Sequence, residues 1–320
     1  MTIDRRTLIA GGAALGLAAG AARAQAAPPG AGETLKLWPA GPPGGVPAGV
    51  KQEETRPLNK AGMPQLHVAH TTNPTLTIQR AAKPNGAALL LIPGGGYRFD
   101  SLQLEGFDVA ARFAQDGYTC FSLTYRMPAD GWKAGPEAPL QDAQRALRTV
   151  RSLAAKYGYS ADRIGVVGFS AGGHLAGWLS TRQSAATQAV NDAIDREPLS
   201  PRATALIYPV ITMTGPVGHS GSRIELLGKN ASDEQRRAYS LENGIEPTTP
   251  PTFLAQAIDD QTVPVENSLM MLAALRAAKV PTEAHLFESG GHGFGLTLPD
   301  GTASPWPDLF NTFAKHHGLL

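Results

Sequence analysis

Three residues in this sequence carry legible chemistry, and each stands beside glycine or at the end of an apolar run. Ser170 lies in Gly168-Phe169-Ser170-Ala171-Gly172, directly after the apolar, partly β-branched run 164–167. Such a run reads as a strand buried on both faces of a parallel sheet. A G-x-S-x-G turn between that strand and a helix holds the serine in a strained backbone conformation. Small flanking residues let strand and helix close up, which pushes Oγ into a cleft at the carboxyl end of the sheet. His292 lies in Gly290-Gly291-His292-Gly293-Phe294, where glycines on both sides leave an imidazole accessible. Asp260 follows the strand-like run 252–258, with Asp259 as its competitor; Asp260 is preferred because it stands three residues before Val263-Pro264, where the loop turns into a helix.

These types in the order Ser, Asp, His imply acyl transfer. An alkoxide is too basic to form unaided at neutral pH, so a histidine must take the serine proton and return it to the leaving group. A carboxylate fixes the imidazole tautomer and stabilises the imidazolium. Ser170 is therefore the expected nucleophile, His292 the base and Asp260 the acid. The glycine run in Pro93-Gly94-Gly95-Gly96-Tyr97, after the apolar stretch 87–92, can turn backbone N–H groups inward. It reads as half of an oxyanion hole, with the amide of Ala171 and the start of the following helix as the other half.

The elements that must position these groups alternate. Strands are expected at 75–80 (an edge strand), 87–92, around Cys120, 164–167, 203–208, 252–258 and 282–287. Helices are expected at 104–115, 139–157, after Ser170, 264–278 and 306–316. Alternation at this spacing calls for a mostly parallel sheet with helices on both faces and right-handed crossovers. Residues 212–250 lack strand signals, contain one helical piece near 233–239 and read as a cap inserted over the carboxyl edge of the sheet. Tyr97, Trp132 and this segment are the expected pocket walls. His174, one helical turn past Ser170, reads as a hydrogen-bonded core histidine. Asp142 and Arg145, three apart on one helix, read as a structural ion pair, and the single cysteine, Cys120, as a buried packing residue.

The chain of 320 residues, 42% hydrophobic and with formal charge +1, has material for a sizeable core and no basic cluster beyond its amino terminus. Nucleic acid is thereby excluded as a partner. Residues 1–24 read as a twin-arginine-like export signal: Arg5-Arg6, a weakly apolar Ala/Gly-rich stretch, then Ala22-Arg23-Ala24. The apolar run is shorter than a membrane span requires, so no stable membrane association is expected after cleavage, and a periplasmic or secreted location follows. Residues 25–64, dense in Pro and Gly, form an expected arm over a catalytic domain at 65–320.

Taken together, residues 93–97, Tyr125-Arg126, Asp142 with Arg145, residues 168–174, Asp260 before Val263-Pro264 and Gly291-His292-Gly293-Phe294 resemble the α/β-hydrolase fold. More narrowly they resemble the acetyl xylan esterase-like branch, related to bifunctional feruloyl and acetyl esterase domains and to hormone-sensitive-lipase-type esterases, over about 34–318. The resemblance implies Ser170, His292 and Asp260 as a triad, with Gly95, Gly96 and Ala171 donating to the oxyanion. Pro93 replaces the histidine of the lipase-type HGGG motif. It further implies hydrolysis of short acyl esters of small-molecule or carbohydrate alcohols, acetyl groups of plant-wall polysaccharides among them, without metal or cofactor. Amide or peptide hydrolysis on the same fold, and an inactive binding scaffold, are the alternatives.

Overall fold

The computed structural model describes residues 32–59, 62–183, 187 and 191–320. The export signal expected over 1–24 lies outside the described residues, as does the start of the arm. Eleven strands are present among them: β1 (Thr34–Lys36), β2 (Glu53–Thr55), β3 (His67–Ala69), β4 (Thr75–Gln79), β5 (Ala88–Ile92), β6 (Phe99–Ser101), β7 (Thr119–Thr124), β8 (Ile164–Phe169), β9 (Ala203–Ile207), β10 (Thr252–Ala257) and β11 (Thr282–Phe287). The helices are α1 (Asp108–Gln115), α2 (Ala138–Ser152), α3 (Ala154–Tyr157), α4 (Ser170–Thr181), α5 (Ser220–Leu227), α6 (Asp233–Ala238), α7 (Glu266–Ala277) and α8 (Trp306–His316).

The central sheet has the order β1-β4-β7-β5-β8-β9-β10-β11. From β7 to β11 neighbouring strands are parallel, whereas β4 and β1 are antiparallel to their neighbours. This is the α/β-hydrolase architecture. Every residue of β5, Ala-Leu-Leu-Leu-Ile, is buried, because both faces of the sheet are covered. The pleat sends alternate side chains to opposite sides. Leu90 and Ile92 join α2, α4 and α7 through Leu147, Leu175 and Met271. Leu89 and Leu91 join α1 and α8 through Phe113 and Phe310. Cys120 is buried in this second layer, and burial pushes its thiol well above the ordinary range.

Three local expectations are corrected. β4 is not an edge strand: the arm supplies β1, paired Thr34 to Thr77, and the arm's β2 joins β3 and β6 in a second small sheet. The helix expected from 104 begins as a π-helical turn, Leu102–Phe107, and becomes regular only at Asp108. Asp142 does not pair with Arg145. Its carboxylate accepts the Trp38 indole N–H at 2.7 Å and the Arg126 Nε at 2.9 Å, with both ion-pair partners wholly buried. Arg145 instead reaches Asp192 at 2.6 Å and Asp195 at 2.9 Å, its guanidinium lying over the Trp38 ring. The tertiary partners arrive from the arm and neighbouring loops, so a spacing of three along a helix does not decide the pairing.

Asp142→Ala should lower stability by about 3–5 kcal/mol, because it leaves the Arg126 charge buried and unpaired. Equilibrium urea unfolding measures this; a loss below about 1 kcal/mol would show the network to be dispensable.

Candidate active site

β8 ends at Phe169 in extended backbone (φ −121°, ψ 132°), and α4 begins at the next residue. The turn between them is tight. A β-carbon on Gly168 would fall 2.4 Å from the Gly172 carbonyl oxygen, and one on Gly172 2.2 Å from that of Ile92. With strand and helix this close, Ser170 takes φ +51°, in the left-handed region that a residue with a side chain rarely adopts.

The Ser170 Oγ is 2.8 Å from His292 Nε2, and His292 Nδ1 is 2.8 Å from Asp260 Oδ2. The other Asp260 oxygen, Oδ1, accepts the amides of Thr262 and Val263, both at 2.9 Å, which fixes the plane of the carboxylate. Burial pushes this carboxyl upward, but the hydrogen bond and charge of His292 with the two amides outweigh it, so Asp260 titrates below its ordinary value. It therefore stands ionised beside the imidazole and assigns the proton to Nδ1. Nε2 is then free to accept from the serine. Asp259, the competitor, has its own contact: Oδ1 accepts the Gly291 amide at 2.8 Å and tethers the histidine loop. Gly291 and Gly293, at φ +62° and +72°, form the two bends between which the imidazole projects.

Pro93 and Gly94 place the glycine loop against Ser170 and Gly172. The Gly94 amide donates to Glu105 Oε2 at 2.7 Å. The amides of Gly95, Gly96 and Ala171 meet no acceptor among the described residues, Ala171 because it lies in the unpaired first turn of α4. Gly94 is the glycine of this loop that lies against Ser170: its β-carbon would stand 2.8 Å from Ser170 Cβ.

Tyr97 and Trp132 do not form the expected walls. The Tyr97 ring is fully buried, its O–H donating to His174 Nδ1 at 2.7 Å, and Trp132 is buried with the Arg126 guanidinium 5.0 Å from its ring. Neither ring presents a face to a sugar. The cap does reach the site: His219, at the start of α5, lies 4.0 Å from where a Gly96 β-carbon would stand. Its Nδ1 accepts the Ser222 amide at 3.2 Å. Burial lowers the pKa of His219, and the charges of His292 and Arg98 act in the same direction.

Sequence reasoning missed Glu105, Tyr208 and His219. Tyr208 follows β9 at φ +38°, its ring 5.3 Å from that of His292. The short run 203–208 ending at Pro209 was its only signal.

These features coincide with detectable kinship. Residues 75–275 match the BD-FAE family. The chain belongs to that family. It is 36% identical over 211 residues to an endo-1,4-beta-xylanase B of Butyrivibrio fibrisolvens, covering 64% of this chain and 32% of that protein. It is 31% identical over 241 residues to an acetylxylan esterase of Xylanibacter ruminicola, covering 74% of this chain and 44% of that one. The chain thus spans less than half the length of these curated relatives. Among solved structures, an acetyl ester-xyloside bifunctional hydrolase from Caldicellulosiruptor lactoaceticus superposes with TM-score 0.72 at 33% identity, over 90% of this chain and 97% of that one.

His174 behaves as a core residue of this family member. It is fully buried, donates from Nε2 to the Tyr239 carbonyl at 2.7 Å, and loss of water pushes it down to about 4. The unfolded chain, titrating near ~6.5, takes up this proton first as pH falls. The His174 contribution to stability is therefore complete above about pH 6.5 and declines by roughly 3 kcal/mol toward pH 4. Thermal unfolding across that window should show a slope that His174→Gln flattens; an unchanged slope would assign it to other groups.

Proposed function

We propose that this chain is a serine carboxylic-ester hydrolase acting on short acyl esters, acetyl groups of plant-wall polysaccharides foremost, through an acyl-enzyme. The observation that carries this is the unbroken Ser170, His292, Asp260 line, with both contacts at 2.8 Å, built on a serine held at φ +51°. Ser170 Oγ attacks the ester carbonyl as His292 Nε2 takes its proton. The carbonyl electrons move to oxygen, where the amides of Gly95, Gly96 and Ala171 receive the negative charge. The intermediate collapses with expulsion of the alcohol, which leaves with the proton from His292. Water then attacks the acyl-serine by the same route, delivering its proton to His292 and releasing the acid and Ser170.

The substrate class is supported by the names of the relatives: an acetylxylan esterase and an acetyl ester-xyloside hydrolase. A polysaccharide substrate outside the cell agrees with the twin-arginine-like residues 1–24 and a periplasmic or secreted enzyme. Among the described residues no helix is long and apolar enough to cross a membrane.

Ser170→Ala should abolish hydrolysis of p-nitrophenyl acetate and labelling by a fluorophosphonate while leaving the fold intact by circular dichroism; turnover retained in this variant would rule the mechanism out. Asp260→Asn should cut kcat/KM by at least ~10³-fold, because the imidazole loses its fixed tautomer. Acetylated xylo-oligosaccharides should be cleaved in preference to feruloyl esters and to N-acyl amides, and preferential amide cleavage would reassign the chain to amide chemistry.

A further inference from the structure

Glu105 takes no part in the proton relay, yet it lies between the two halves of the site. It projects from the π-helical turn Leu102–Phe107 into the interior, with only 4% of its surface exposed. Its Oε2 accepts the Gly94 amide at 2.7 Å, and its Oε1 accepts the Tyr208 O–H at 3.0 Å. A β-carbon on Gly94 would lie 3.0 Å from Glu105 Oε2 and 2.8 Å from Ser170 Cβ, so no side chain separates the carboxylate, the glycine loop and the nucleophile. On the far side, the Tyr208 ring packs edge-on against His292 at 5.3 Å, and its phenol oxygen faces the Gly295 amide in the histidine loop.

Both carboxylate oxygens accept and neither needs to donate, which is the pattern of an ionised group. A buried anion is costly unless something compensates it. Here burial raises Glu105 above the ordinary carboxylate range, and the Gly94 amide, the charge of His292 and the Tyr208 hydroxyl offset that rise only in part. The positive charge on His292 exists only while it holds the serine proton, so the anion favours the imidazole in its protonated state.

We propose that Glu105 is a positioning residue of the ester hydrolysis: it clamps the Gly94 turn that carries the Gly95 and Gly96 amides, and its charge steadies the His292 imidazolium formed as Ser170 attacks. The assignment rests on the serine-hydrolase reading above. Around the imidazole stand Asp260 in contact with Nδ1, Asp259 through the Gly291 amide, Tyr208 from the end of β9 and His219 from the start of α5, while the Arg98 charge acts on His219. Of the carboxylates in this group, Asp260 and Asp259 belong to the strand-end loop after β10; Glu105 acts from the π-helical turn before α1, through Gly94 and Tyr208.

The test compares wild type, Glu105→Gln and Glu105→Asp by fluorophosphonate labelling and by the pH profile of p-nitrophenyl acetate hydrolysis. The wild type should label at Ser170; absence of labelling would defeat the serine-hydrolase reading itself. Glu105→Gln keeps the volume and removes the charge. Its kcat should fall about tenfold to a hundredfold with little change in KM. The acid limb of its kcat/KM profile should move to lower pH, because the protonated imidazole has lost a neighbouring anion. Glu105→Asp keeps the charge but withdraws it from Gly94, so its kcat should fall while the acid limb holds its wild-type position. An unmoved acid limb in Glu105→Gln, even with reduced activity, would make Glu105 a merely structural residue and overturn the proposal. If Glu105→Gln does not accumulate as folded protein, Glu105→Asp decides: wild-type kcat, or a displaced acid limb, overturns it.

Discussion

The constraint on which the rest of the site depends is the closeness of β8 to α4. Wherever a side chain might have intervened there is glycine, and the backbone of β5 presses on the same turn from the neighbouring strand. That proximity forces Ser170 into its left-handed conformation, a state of order 1–3 kcal/mol above the common ones that persists only where the surroundings over-determine it. They do: the Ser170 carbonyl accepts the Val210 amide at 3.0 Å, while the helix packs its first turns under Pro93 and Pro209. The hydroxyl that results has one direction to face, and the histidine and glycine loops are arranged about it.

Those loops come from strands distant along the chain but adjacent or near in the sheet. Parallel pairing aligns the carboxyl ends of β5, β8, β9 and β10 along one edge, so the groups that follow each strand converge there without long connections. Asp260 and Asp259, consecutive in the chain, divide the work of holding the imidazole: one contacts the ring and the other the backbone that carries it.

Legibility in the sequence followed the physics of each element. Buried parallel strands announce themselves as apolar runs, and the glycines about Ser170 and His292 mark places where backbone must bend or approach closely. The three-residue strands β1 and β2 are too short to show alternation, so the arm's share of the sheets was not visible. A π-helical turn leaves no mark in composition, and Glu105 within it looks like any acidic residue on a surface helix until burial reveals its orientation. Tyr97, read from its aromatic character as a pocket wall, faces inward because Gly96 and Tyr97 both take positive φ and turn the ring onto His174. Arg145 followed its surroundings rather than its helix, since Arg126 already occupies Asp142.

The arm is more than a covering. Trp38 inserts its indole between Arg145 and the buried Asp142, while the backbone at Gly32 approaches Ile78 so closely that a β-carbon would overlap the carbonyl oxygen. The described part of the arm is therefore packed as one unit with the sheet, through β1 and Trp38. A shortened chain starting at 65 would expose the flank of β4 as a new sticky edge and leave an ionic cluster without its lid. Leu37 and Trp38, from a stretch dense in Pro and Gly, are thus buried in the main core beside the sheet.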